Sequence, residues 1–186
     1  MTRKILLKKV LSMIEEYNPE SAYLTDDPDI SAKIDEVINQ VMMELVRLKK
    51  LPQYTAMPVT MGQLLTMKDL TEVCGKEVYQ FDVVRGVKYV SRAGGTVLKF
   101  LESGTAEIDC FVFPERITEE NAETYEFDLP ADLLEILPYG VAADLLKSDQ
   151  SAEYGSVYAT RYETFKQQLD PRYHMPGIYI DGGVKV

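Results

Sequence analysis

The chain has 186 residues, 46% of them hydrophobic, with 20 basic and 30 acidic side chains and a formal net charge of -10. This length fits one domain, or one domain with an insertion, and the apolar share is enough to bury a core. So acidic a balance argues against a free-standing nucleic-acid binder, which needs a basic face to release counterions from phosphate.

The acidity is uneven. Residues 1–75 carry 9 basic and 11 acidic side chains, residues 76–170 carry 9 and 18, and residues 171–186 carry 2 and 1. Such a surface keeps a protein soluble, and it repels DNA phosphates where it lines a channel. Cys74 and Cys110 lack CxxC or metal-site spacing and sit among apolar residues, so both are expected to be reduced and buried. No stretch is long and apolar enough to span a bilayer. The basic start, interrupted by Lys8, Lys9, Glu15 and Glu16, is not a signal peptide, and an intracellular protein is expected.

Helical spacing begins at once. Ile5, Leu6, Val10, Met13, Ile14 and Tyr17 predict a helix over 3–17, ended by Asn18-Pro19. Arg3 and Lys4 at its start, with Glu15 and Glu16 at its end, oppose the helix dipole, so packing or a partner must hold it. Asp27-Pro28 is a good N-cap and first-turn pair for a second helix over 28–50. Its stripe of Ile30, Ile34, Val37, Ile38, Val41, Leu45 and Leu48 is wide enough to face a core. Residues 52–62, with Pro52, Pro58 and Gly62, read as an extended connector, and residues 60–75 are expected to hold either a short helix around 67–74 or strand-like pieces. Met57, Met61 and Met67 read as gap-fillers.

From 76 to 113 the period changes to two. Tyr79, Phe81 and Val83 alternate with Gln80 and Asp82, and Arg85-Gly86, Gly94-Gly95 and Ser103-Gly104 are turn signals. Ala106, Ile108, Cys110 and Val112 share one face of the last strand. Short strands joined by tight Gly turns predict antiparallel hairpins. Gly94-Gly95 lacks the rest of a phosphate-binding loop and reads as a hairpin turn. Residues 115–124 are an acidic loop, and Tyr125-Glu126-Phe127 is expected to return as a strand closing the sheet.

A helical hairpin follows. Pro130 suits a first helical turn, and Leu133, Leu134, Leu137, Val141 and Leu145 form an apolar face. Pro138 and Gly140 predict a kink or a split. After a break at Ser148-Asp149, one helix face is expected to carry Tyr154, Val157, Tyr158, Arg161, Tyr162, Phe165 and Leu169, the tyrosines being half-buried. Ala142, Ala143, Ala152, Gly155 and Ala159 would let the two helices approach closely. The predicted fold is α+β: a helical bundle core (1–75 and 129–170), an inserted antiparallel β domain (76–128) and a C-terminal arm (171–186). The arm carries Tyr173, Ile178, Tyr179 and Ile180, apolar residues that are costly to leave in water and suited to pairing with a neighbour.

No residue chemistry states a reaction. The single His174 has no sequence partner, Cys has no base other than it, and the acidic residues form no metal-ligand spacing. No catalytic residue, cofactor or metal is expected, and the chain is not expected to be an enzyme.

Leu129-Pro130, Leu134, Leu137, Tyr139-Gly140, Ala142-Ala143 and Leu145-Leu146, followed by Ala152, Tyr154, Tyr158, Tyr162 and Leu169, form a packing pattern. Together with the ISAKIDEVINQVMMEL helix, it resembles the head–tail connector (adaptor) proteins of tailed bacteriophages and prophages. The resemblance implies a structural subunit of the virion neck, made in the bacterial host cytoplasm. It would form a homo-oligomeric ring in the virion, between the portal protein and the neck or tail components, and in isolation be either a monomer or already associated. DNA would pass through the ring without sequence-specific binding, no membrane is involved, and the arm would reach into the portal. The alternative is a binding module in which Tyr79, Phe81 and Tyr89 hold a sugar or a peptide.

Overall fold

A computed structural model describes residues 1–148 and 152–169. In chain order the elements are helices α1 (Arg3–Met13) and α2 (Pro28–Lys49), strands β1 (Pro52–Val59) and β2 (Leu64–Thr66), and helix α3 (Met67–Cys74). Then come β3 (Val78–Arg85), β4 (Tyr89–Arg92), β5 (Val97–Phe100) and β6 (Gly104–Val112), and finally α4 (Ala131–Leu145) and α5 (Ala152–Gln168). The fold is α+β. It divides into a helical unit, formed by Met1–Lys49 with the chain from Pro114 on through α5, and a β unit, Lys50–Phe113. The expected boundaries at 75/76 and 128/129 are thereby corrected. Residues 50–75 belong with the strands because β1 and β2 pair there, and residues 114–128 belong with the helices because their apolar side chains pack among them.

In the helical unit, the Asp27 carboxylate accepts from the amides of Asp29 (2.8 Å) and Ile30 (3.2 Å) and starts α2 where the sequence places it. Ile30, Ile34, Ile38, Val41 and Leu45 are buried along one face, while Leu48 lies outside the stripe and is exposed. Helix α1 ends at Met13 rather than Tyr17, and Glu15 turns into the left-handed region at φ 64°. Its misplaced cation is explained. The Arg3 guanidinium grips the Asp35 carboxylate of α2 with two bonds, 2.6 and 2.8 Å, so packing on a partner helix supplies what the dipole takes away.

Residues 125–127 do extend, but not as a sheet strand. They pair with the N-terminus through the Thr2–Glu126 bridge, with Arg3 N–H donating to Tyr125 O and Phe127 N–H to Met1 O, each 3.0 Å. The alternation decides this: Tyr125 and Phe127 both turn inward, ring against ring at 5.0 Å, and leave Glu126 in water. The 114–128 segment is anchored by Asn39. Its amide donates to Ile117 O and accepts from Ile117 N–H, both 2.9 Å and buried.

Helix α4 is continuous through Pro138, not split, and its N-cap is Pro130. Gly140 is required by packing rather than by a kink. A Cβ there would stand 2.5 Å from Val41 Cγ1 and 2.7 Å from Tyr162 Cε2, so α2, α4 and α5 meet where α4 has no side chain. On α5 the inward stripe is Gly155, Tyr158, Tyr162 and Phe165, whereas Val157 and Arg161 are exposed and leave the expected face. Tyr154 lies outside the described side chains.

In the β unit, two three-stranded antiparallel sheets have the orders β1-β6-β3 and β2-β5-β4. The expected connector at 52–62 is instead strand β1, an edge strand, the one sheet position that tolerates Pro52 and Pro58. Only β4 and β5 form the expected hairpin, turned by left-handed Ala93, Gly94 and Gly95. The turns at Gly86 and Ser103-Gly104 carry the chain from one sheet to the other. Gly86 has no alternative residue, since at φ 83° a Cβ would meet Thr105 O at 2.5 Å. Helix α3 carries a Thr66/Asp69 capping box and ends on left-handed Gly75. The core holds the expected Ala106, Ile108, Cys110 and Val112 of β6, faced by Leu65, Leu98 and Phe100 of the second sheet and by Leu70 of α3. Met57 fills a gap against this core, but Met61 is exposed.

Removing the Asn39 amide leaves two buried backbone groups unpaired. Asn39→Ala is expected to cost about 2–4 kcal/mol in denaturant unfolding. A loss below about 0.5 kcal/mol would show that Asn39 does not hold the segment.

Candidate functional site

The residues expected to engage a partner, Tyr173, Ile178, Tyr179 and Ile180, lie outside the described residues, as does His174. Among the described residues, no helix is long and apolar enough to cross a membrane, and no group of three His, Cys, Asp or Glu side chains could hold a metal ion. The described residues offer three surfaces to consider: a groove, an acidic loop and the faces of the small sheets.

The groove lies in the helical unit and has a volume of about 440 Å³. Ile136, Tyr139, Phe165 and Leu169 give it an apolar lining, with Tyr139 and Phe165 tilted against each other at 5.2 Å. Lys9, Asp132 and Glu135 supply charge at its margin. Asp132 is already committed, since its carboxylate holds the nearly buried Lys49 ammonium at 2.6 Å. This arrangement suits an apolar group framed by charge.

Beside the groove-forming helices lies a polar cluster. Lys166 donates to Glu44 (2.6 Å) and Glu163 (2.8 Å), and the Tyr162 hydroxyl donates to Glu44 at 2.9 Å. Burial raises the Glu44 pKa, but the bonds from Lys166 and Tyr162 outweigh it and hold the carboxyl below 4.5. For Lys166, burial pulls down, while Glu163 and Glu44 together hold the ammonium above its usual 10.5. Burial, then Glu44, pushes the Tyr162 phenol up. The cluster fixes α5 to α2 and leaves no general base.

The acidic loop, 115–126, exposes Glu115, Glu119, Glu120, Glu123 and Glu126. It is nevertheless ordered. Ile117, Tyr125 and Phe127 are buried beneath it, and Asn121 accepts from Thr118 N–H (2.8 Å) and donates to Arg116 O (2.9 Å). Counted by unit, the sequence of the helical unit through Asp170 holds 11 basic and 22 acidic side chains, and the β unit holds 7 and 7. The whole negative balance thus belongs to the helical unit.

The three aromatics of the alternative reading have neighbours of their own. Tyr79 stacks on Phe113 at 4.4 Å and on Phe111 at 6.3 Å, Phe81 packs against the β core, and Tyr89 lies on the second sheet opposite Phe100. Cys110 is buried as expected, while Cys74 is half-buried. Burial, then neighbouring Cys74, pushes the Cys110 thiol up to about 12. The charge-bearing face of the second sheet went unread in the sequence, because its rows depend on the register of the three-residue strand β2.

No protein-family model matches the chain, and no curated protein matches it.

Two outcomes are expected. The stabilisation from Glu44, whose folded pKa is depressed, is fully present above pH 4.5 and is lost as pH falls through the folded value. Thermal melts of the parent and Glu44→Gln should therefore differ at neutral pH and converge in acid; parallel curves would exclude the linkage. A thiol reagent should leave Cys110 unmodified until the chain unfolds, and labelling at the same rate in the native and denatured chain would contradict its burial.

Proposed function

We propose that the chain is a structural head–tail connector subunit of a tailed bacteriophage or prophage. In this role it forms a ring in the virion neck between the portal protein and the next neck or tail component. The observation carrying this reading is that the two segments bearing the resemblance, α2 and the α4–α5 hairpin, fold against each other into one helical unit, with the strands in a unit of their own. A connector needs a stiff helical wall and a separate module to meet a neighbour.

The charge distribution supports the same reading. A wall with twice as many acids as bases repels phosphate, as a channel passing DNA requires, and confers no sequence-specific binding. The groove lined by Ile136, Tyr139, Phe165 and Leu169 offers a seat for an apolar side chain of a neck component. The alternative of an aromatic-lined sugar or peptide module has no comparable observation behind it, since Tyr79 stacks on Phe111 and Phe113 and Phe81 packs against the β core.

The test is binding to the cognate portal protein, where one is encoded nearby, measured for the full chain and for a truncation ending at Asp170. Binding by the full chain and not by the truncation is expected, since the arm would enter the portal. Binding that survives truncation would keep the connector and remove the arm, and no binding by the full chain would overturn the reading.

A further inference from the structure

The outer face of the second sheet is built like no solvated face. Register places Leu64, Lys99 and Val90 in one row and Thr66, Val97 and Arg92 in the next. Leu101 N–H donates to Lys88 O at 2.8 Å, which adds Lys88 and Leu101 as a third row. Every row therefore sets one cation beside at least one aliphatic side chain. Alternation would fill this face with polar residues if water were its only neighbour. Instead Leu64, Val90 and Leu101 stand 54%, 43% and 48% exposed. Lys88 reaches Glu102 at 3.7 Å, and Asp69 is spent on the Thr66 cap. No ion pair holds Arg92 or Lys99 among the described residues.

Such a face fits a partner that is acidic and partly apolar. We infer that the partner is a second copy of this chain, and that the contact is the cationic sheet face of one copy on the acidic loop 115–126 of the next. The choice of a second copy rests on the ring-forming reading above and on the charge balance of the two units, 11 basic to 22 acidic against 7 to 7. The loop has the needed properties. Glu119, Glu120 and Glu123 are exposed on a backbone already fixed by Asn121 and by buried Ile117, so little ordering is lost on binding. Exposed Ile5 stands on the first turn of α1, next to the bridge that holds Glu126, and brings an apolar group to the same end of the unit. Because the two surfaces differ, the contact is head-to-tail, the type that closes rings. Opposite charges set its register and its rate of formation, and the aliphatic rows supply the burial.

A charge swap tests this contact. The full chain should self-associate in sedimentation at low salt and less so at high salt. Arg92→Glu with Lys99→Glu should weaken association by about tenfold or more, and so should Glu119→Lys with Glu120→Lys and Glu123→Lys. Neither set should lower the melting temperature by more than a few degrees, since Arg92, Glu119, Glu120 and Glu123 are exposed and Lys99 is half-buried on the outer face. Mixing the two variant proteins should restore association, because each then offers the charge the other lacks. Three results would overturn the inference: a parent that stays monomeric at low salt, sheet variants that associate like the parent, or a mixture that fails to recover. Duplex DNA held by the parent and lost in the sheet variants, with self-association unchanged, would assign the face to DNA instead. Portal binding by a chain that fails the swap would leave the connector reading standing without this contact. A successful swap by a chain that ignores the portal would do the reverse.

Discussion

The helical unit depends on one side-chain amide. Its two halves are separated in sequence by the entire β unit, and although that unit returns the chain beside Leu51, the return does not fix how segment 114–128 lies on α2. Asn39 does so by satisfying both backbone groups of Ile117, a residue 78 positions away. Buried amides and carbonyls must be paired, and an irregular segment has no ladder to pair them. With Ile117 fixed, Tyr125 and Phe127 fall into the interior, the N-terminus is bridged at Glu126, and α4 starts in position to pack on α2.

The β unit solves the complementary problem of entry and exit. Strand β6 lies between β1 and β3, so the first and last strands of the insertion are neighbours, and Val112 N–H donates to Leu51 O at 3.1 Å. An insertion whose ends lie side by side adds little loop-closure cost to its host. Its core is closed by a second sheet that places Leu65, Leu98 and Phe100 against it. That sheet is only three strands wide, with short edges, which limits its tendency to pair indiscriminately.

Local signals were legible where local physics decides. Asp27-Pro28 marks the start of α2, and alternation in 104–112 identifies β6 and its inward face. The failures share a cause. Pro52 and Pro58 argue against a strand until β1 is known to be an edge. Gly86 and Ser103-Gly104 look like hairpin turns, yet they join strands of different sheets, and no short-range pattern distinguishes the two. Gly140 resembles a helix breaker, but its meaning is the approach of Val41 and Tyr162, which only the packed unit supplies. The cationic face was hidden for the same reason: Lys88, Arg92 and Lys99 look like ordinary solvated lysine and arginine positions until register aligns them with Leu64, Val90, Val97 and Leu101.

Charge placement links these levels. In the helical unit Arg3, Lys49 and Lys166 are drawn into pairs with Asp35, Asp132 and Glu44, and these pairs hold its segments together rather than neutralising the acidic loop. In the β unit Arg85 is tied to Asp109 at 2.6 Å and Lys50 lies 5.4 Å over the Phe111 ring, both within or beside the first sheet. On the second sheet, Lys88 reaches Glu102, while no ion pair holds Arg92 or Lys99 among the described residues. A unit with equal numbers of acids and bases can still present a positive face, and a chain of net charge -10 can still hold a surface complementary to itself. Net charge keeps copies apart in solution, while the local arrangement decides whether they meet and in which orientation.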